Sequence, residues 1–255
     1  MRYRRFAPGH AASAFVDHYW TLEAAEPAGC QRVVPDGSPE LIVHLGTPFE
    51  SRNHADWRRQ PRCFVAGQLT GPLFLRGAGP SRILGVTFRP DGLTGILDAS
   101  PSELAAGIHA LDGLDVEDIP QLEVWLLSRR RRPADPIVAE AVGRITSLHG
   151  ACDMASLARD LGISTRQLER RFADRTGLAP KLFARMRRFQ SVFPTIEEGG
   201  NWASIAAARG YYDQAHLVRD FREFAGEPPT ALLGGDDLAR HFLSHFSKTA
   251  ARRFR

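Results

Sequence analysis

The sequence predicts an α+β chain in two parts: a β-rich first half, built as a small barrel or sandwich with helices after it, and an all-α C-terminal part. Two observations carry this. Short runs rich in β-branched and aromatic residues, cut by glycine- and proline-containing turns, occupy residues 30–90. Beyond residue 150 there is a degenerate repeat. Leu157-Ala158, Gly162, Leu168, Arg170, Phe172, Gly177 and Pro180 recur as Ile205-Ala206, Gly210, Leu217, Arg219, Phe221, Gly226 and Pro229. The offset is 48 up to the glycine and 49 from the leucine onward, so one residue has been added in the turn between them.

From the N-terminus, MRYRRFAPGH is basic but lacks the long apolar core of a secretion signal. No uninterrupted apolar stretch of about 18 residues occurs anywhere, so no membrane span is expected. Strands are expected at Arg32-Val33-Val34, Glu40 to Leu45, Cys63 to Ala66 and Ile83 to Phe88. The turns between them are PDGSP at 35–39, GTP at 46–48, the two GP pairs at 71–72 and 79–80, and RPDG at 89–92. Helical signal then takes over. Asp98 and Ser100-Pro101-Ser102-Glu103 form a helix-start signature ahead of Leu104, Ala105, Ala106 and Ile108. Two amphipathic helices follow, Val116 to Leu127 and Pro136 to Leu148. The first carries Leu122, Val124, Trp125 and Leu126, apolar enough to pack on a second copy and suggest a homodimer, or to cap the barrel of its own chain. The run Arg129 to Arg132 reads as the solvated end of that helix, with a supplementary phosphate contact as the alternative.

Each copy of the repeat reads as helix, tight turn, helix, the skeleton of a helix-turn-helix DNA reader. In the first, Met154, Leu157, Ala158 and Leu161 give one apolar face, and Gly162 is the left-handed stop. Ser164-Thr165-Arg166-Gln167 has the form of a capping box, and the helix beyond it turns Leu168 and Phe172 inward. In the second, Gly210 is the stop, Tyr211-Tyr212 form the turn and Asp213 is the N-cap. An amphipathic connector runs from Pro180 through Leu182, Phe183, Met186, Phe189 and Phe193. At roughly 1.5 Å per residue it spans about 21 Å. With the widths of the flanking helices, that places the two reading helices about one DNA turn, roughly 34 Å, apart. Charge follows the same division: residues 150–255 hold 17 Lys+Arg against 12 Asp+Glu, a net +5, whereas residues 1–149 are net −1. Phosphate attraction favours a positive surplus on the half that carries the repeat.

The stretch from Asp153 to Leu233 resembles the DNA-binding domain of the AraC-type transcriptional regulators. LARDLGISTRQLERRFADRTGLAPKLF carries the likeness in the first copy and IAAARGYYDQAHLVRDFREFAGEPPTAL in the second. The resemblance implies base-edge contacts at Arg166, Gln167 and Arg170 and at Gln214, His216 and Arg219; Arg171, Lys181 and Arg185 complete the candidate contacts to double-stranded DNA. Pro194 departs from the family pattern and, with Gly199-Gly200, is expected to shorten or kink the connector. The first half resembles, more weakly, the regulatory domains fused to such readers, through Pro35-Asp36-Gly37, Gly67-Gln68 with Pro72, and Gly85 to Leu93. That likeness implies a cupin-like barrel binding a small-molecule effector, for which His44, Gln68 and Phe88 are the candidate residues. The resulting division is a regulatory and oligomerisation domain at 1–132, the reader domain at 133–235 and a basic tail at 236–255.

Other chemistries find little support. Cys30, Cys63 and Cys152 are odd in number and far apart, a poor disulfide or zinc framework that fits ordinary thiols in a reducing cytoplasm. His241 and His245 sit one helical turn apart but lack a third ligand nearby. His18, His44, His54 and His109 are scattered, without the clustered histidines and glutamate of a metal-holding cupin. No cofactor and no enzymatic activity are expected. Besides an effector-controlled regulator, the alternatives are a DNA-binding protein whose first half only oligomerises and a cupin-like enzyme fused to a reader.

Overall fold

The computed structural model describes residues 1–26, 29–52, 56–96, 107–129, 132–197 and 201–233. The helix start expected at 98–106, Arg130 and Arg131, Gly199-Gly200 and the tail with His241 and His245 lie outside them.

The first half holds ten strands: β1 (Arg2–Phe6), β2 (Val16–Ala24), β3 (Gln31–Val33), β4 (Glu40–His44), β5 (Glu50–Arg52), β6 (Arg58–Arg59), β7 (Cys63–Ala66), β8 (Leu73–Arg76), β9 (Ser81–Phe88) and β10 (Ile108–Ala110). They form two antiparallel sheets, a six-stranded one in the order β1-β2-β9-β4-β7-β10 and a four-stranded one in the order β3-β8-β5-β6. Strands alternate side chains between faces, and the core divides accordingly. Tyr19, Leu41, Val43, Leu84, Val86 and Phe88 face one side, where they meet Leu122 and Leu126 of helix α1 (Ile119–Ser128). Trp20, Leu22 and Ile83 face the other side and pack with Phe49 and Leu75 of the small sheet. The layers are therefore helix, large sheet, small sheet.

Several sequence expectations change here. β1 and β2 were not foreseen, and β2 with β9 is the longest ladder of the large sheet. Ile108 belongs to β10, paired with Ala66 of β7, rather than to a helix. In α1, Leu122 and Leu126 are 0% and 1% exposed against the chain's own core, while Val124 points outward at 70% exposure. The apolar face of α1 thus caps its own sheet.

The second half is helical: α2 (Pro136–Ser147), α3 (Met154–Asp160), α4 (Thr165–Thr176), α5 (Pro180–Glu197), α6 (Trp202–Ala208), α7 (Gln214–Ala225) and α8 (Pro229–Leu233). Asp135 caps α2 through the amides of Ile137 and Val138. One core joins α2 to α8, with Phe172, Phe183, Met186, Phe189, Phe221 and Phe224 all 0% exposed. The connector α5 continues through Pro194 to Glu197 instead of stopping there. Proline removes one intrahelical hydrogen bond, but neighbouring contacts hold this turn. Phe193 packs 5.0 Å from Phe189 and 5.9 Å from Phe221, and Arg209 donates to the Thr195 hydroxyl at 2.6 Å. Among the described residues no helix is long and apolar enough to cross a membrane.

Candidate nucleic-acid interface

The two readers are built alike from local rules. Asp153 accepts from the Ser156 amide at 2.7 Å and opens α3; Asn201 accepts from the Ser204 amide at 2.8 Å and opens α6. Gly162 and Gly210 then turn the chain with φ of 70° and 69°, a region open to glycine without a Cβ penalty. The second turn, 209–213, is one residue longer than the first, 161–164, which accounts for the shift in repeat offset. Ser164 caps α4 in a reciprocal capping box with Gln167. Asp213 caps α7 by accepting from the His216 amide at 2.7 Å. Both reading helices end at left-handed glycines, Gly177 and Gly226, and a proline opens the helix after each.

On α4, Leu168 and Phe172 are fully buried, whereas Arg166, Gln167, Glu169 and Arg170 are exposed. On α7, Leu217 and Phe221 are buried, whereas Gln214, Arg219 and Arg222 are exposed. Among the described residues, Arg166, Arg170, Arg219 and Arg222 make no ion pair, so four cations stand uncompensated on the two outer faces. Gln167 is partly committed: its Oε1 accepts from the amide and hydroxyl of Ser164, leaving its NH2 group to donate to a base. His216 is half-buried, edge-on to Tyr211 with centroids 5.2 Å apart.

Three other candidate cations differ in setting. Lys181 is exposed in the first turn of α5. Arg171 grips the Asp135 carboxylate with Nε at 3.1 Å and a terminal nitrogen at 2.9 Å from each oxygen. Arg185 holds the fully buried Asp220 at 2.7 and 3.2 Å and also Glu223, and these carboxylates raise the Arg185 pKa. By the repeat offset Asp220 occupies the place of Arg171. This position therefore carries, in both readers, an ion pair that ties the reading helix to a scaffold helix, with the charges reversed. Pattern reading alone could not find this, because the partners lie 35 and 36 residues away.

Sequence reasoning passed over Ala215 and Val218, which line one shallow surface with Gln214, Arg219 and Arg222. The signal was available, since these positions follow one helical face.

The effector candidates are not brought together. His44 lies in the space between the sheets, beside Phe49 and Phe64, with Nε2 3.1 Å from Gln60 Oε1. Burial holds its pKa down to about 4, so it is neutral. Phe88 is wholly buried on the opposite face of the large sheet, among the residues that meet α1. Gln68 is buried near the reader domain and donates to the Pro90 carbonyl at 3.2 Å. A separate open cleft of about 400 Å³ lies over Arg62, Cys63, Leu111, Asp112 and Leu114. Burial pushes the Cys63 thiol up to about 12. Among the described residues no three His, Cys, Asp or Glu side chains converge as a metal would require.

Residues 157–234 match a family described as a helix-turn-helix domain, and residues 4–108 match a domain family of unknown function, DUF6597. No curated protein matches the chain. Among solved structures, a transcriptional regulator from Chromobacterium violaceum, described by its AraC-type DNA-binding domain, is 22% identical over 38% of this chain and 88% of that one, with a TM-score of 0.35. ToxT from Vibrio cholerae is 8% identical over 84% of this chain and 98% of that one, with a TM-score of 0.44. Wild-type ToxT bound to an unsaturated fatty acid is 9% identical over 84% and 93%, with a TM-score of 0.41.

Proposed function

Residues 157–234 are an AraC-type helix-turn-helix domain, and on that premise we propose that the chain is a sequence-specific regulator of transcription that reads two successive major-groove segments of double-stranded DNA. The observation that supports this most directly is the pairing of two capped reading helices on one core, each with uncompensated arginines facing out. Arg166, Gln167 and Arg170 read one segment and Gln214, His216 and Arg219 the other, with Ala215 and Val218 placed to meet thymine methyl groups. Lys181 adds a phosphate contact, while Arg171 and Arg185 act through the helices they hold.

Selection of bound duplexes from genomic fragments tests the reading. A recurrent two-box site, protected over both boxes in footprinting, is the expected result; recovery without sequence preference would overturn it.

Control by a small molecule is the finer part of the proposal, placed in the N-terminal domain. A ligand present at 100 times its dissociation constant raises stability by about 2.7 kcal/mol, a shift that thermal screening of the full chain detects. The space between the sheets is filled by Trp20, Leu22, Phe49 and Ile83. That packing favours a second reading, in which the N-terminal domain binds no effector and serves the reader mechanically.

A further inference from the structure

The N-terminal domain touches three separate helices of the reader domain. The Thr94 hydroxyl lies 3.3 Å from the Arg175 carbonyl, in the last turn of α4. Arg32, with its side chain 8% exposed, donates to the Ala225 carbonyl at the end of α7 at 2.8 Å and pairs with Glu227 at 3.1 Å. Between these points the 35–37 turn sits on α5. Gln190 donates to the Pro35 carbonyl at 2.6 Å, Arg187 donates to the Asp36 carbonyl at 3.1 Å, and Val34 is buried in the helical core itself. Gly37 has φ +79°, and a Cβ there would lie 2.5 Å from the Phe183 ring.

The last carbonyls of a helix have no partner within it, and a cation beside them meets the negative end of the helix dipole. Thr94 and Arg32 thus supply, from one domain, C-terminal contacts to both reading helices. All three N-terminal sequence motifs end at this junction. Pro35-Asp36-Gly37 meets α5, Pro72 lies 3.3 Å from where a Gly226 Cβ would be, and the segment Gly85 to Leu93 leads directly into Thr94.

We propose that the N-terminal domain is a clamp that fixes the spacing and angle of the two reading helices, with Arg32, Gly37 and Thr94 as specificity-determining positioning residues. The direction of the effect follows from where the clamp grips. It holds the C-terminal ends of α4 and α7, whereas Arg166, Gln167, Gln214 and His216 lie in their first turns. The docked arrangement leaves the reading faces open, so it is the binding-competent state, and loosening it costs discrimination between box spacings. This rests on the two-segment DNA reading above.

The test uses the full chain and a duplex recovered by selection, remade with one or two base pairs added or removed between its boxes. Each added pair moves one box by about 3.4 Å and turns it about the helix axis. Wild type is expected to lose affinity on the order of tenfold for one inserted pair, within the usual range of coupling between sites. Arg32→Met, Gly37→Ala and Thr94→Val should flatten that profile several-fold, while Arg62→Ala, on the exposed surface of the same domain, should leave it as in wild type. Circular dichroism identifies any variant that fails to fold, and the mild Thr94→Val change then carries the comparison. A profile unchanged in folded variants, or tighter binding to the native spacing on release, would overturn the clamp. So would a wild-type profile indifferent to spacing. Failure of the wild type to select any duplex would instead remove the DNA reading on which the clamp depends.

Discussion

Replacing Arg185 by methionine separates a structural strut from a DNA contact. Asp220 is 0% exposed, and Arg185 holds it through Nε at 3.2 Å and a terminal nitrogen at 2.7 Å. Methionine keeps much of the side-chain bulk but leaves a buried carboxylate without its cation, a loss of about 3–5 kcal/mol when one partner of a buried pair is removed. For a helical domain of about 100 residues, each kcal/mol moves Tm by about 4–8 °C, so a fall of roughly 12 °C or more is expected. The far-ultraviolet helical signal is the suitable probe, because the chain has two domains and a single global unfolding energy is not defined for it. Adding Asp220→Asn to Arg185→Met removes the stranded charge and should recover a large part of the loss, a coupling that only neighbours show. The salt dependence of DNA binding, measured well below the transition, should keep its wild-type slope. The reasoning is refuted if Arg185→Met leaves Tm within a degree or two and lowers the slope by about 0.9, the signature of one lost phosphate contact.

Other outcomes follow from the same geometry. Arg170→Ala and Arg219→Ala should each cost about 1–3 kcal/mol and relax preference at one operator position; uniform weakening on all sequences would leave them phosphate contacts only. Neutralising Arg166 with Arg170 should lower the salt slope more than neutralising Arg219 with Arg222, because α4 also benefits from nearby Lys181; equal drops would make the readers energetically equivalent. His44 is neutral when folded, with a pKa near 4 against 6.5 when unfolded. Below pH 6.5 the unfolded chain takes up a proton that the folded chain refuses. Stability is therefore lost as pH falls from about 6.5 to about 4, by up to roughly 3 kcal/mol. The effect is read as the difference between wild type and His44→Gln, since Glu40, lifted by burial to about 8, favours the folded state as pH falls through that value. Superimposable acid limbs for the two proteins would refute it.

The parts of the fold legible in the sequence are those governed by neighbours along the chain. Ser164 with Gln167, Asp213, Gly162, Gly210 and the leucine and phenylalanine spacing define two readers, because caps, left-handed turns and amphipathic faces act within a few residues. Strands β4, β7 and β9 were readable for the same reason. β1, rich in arginine, and β2, with Asp17 and His18 near its start, escaped notice, because their apolar positions are set by sheet pairing rather than by composition.

Tertiary structure alone decided what the basic residues do. Arg166 and Arg171 are equally cationic and five positions apart, yet one faces outward and the other is held by Asp135. Pro194 signals a break, yet aromatic packing from α7 keeps the helix going. Arg32, Pro35 and Asp36 looked like parts of a strand and a turn, and they are parts of a domain junction. Arg32 meets a carbonyl 193 residues away. Periodicity and capping describe a chain against its own next few residues, whereas an ion pair or a docked turn depends on where distant backbone arrives. The sequence by itself determined that this protein carries two DNA readers; the packed structure decided which side chains are left to read and what holds the two in register.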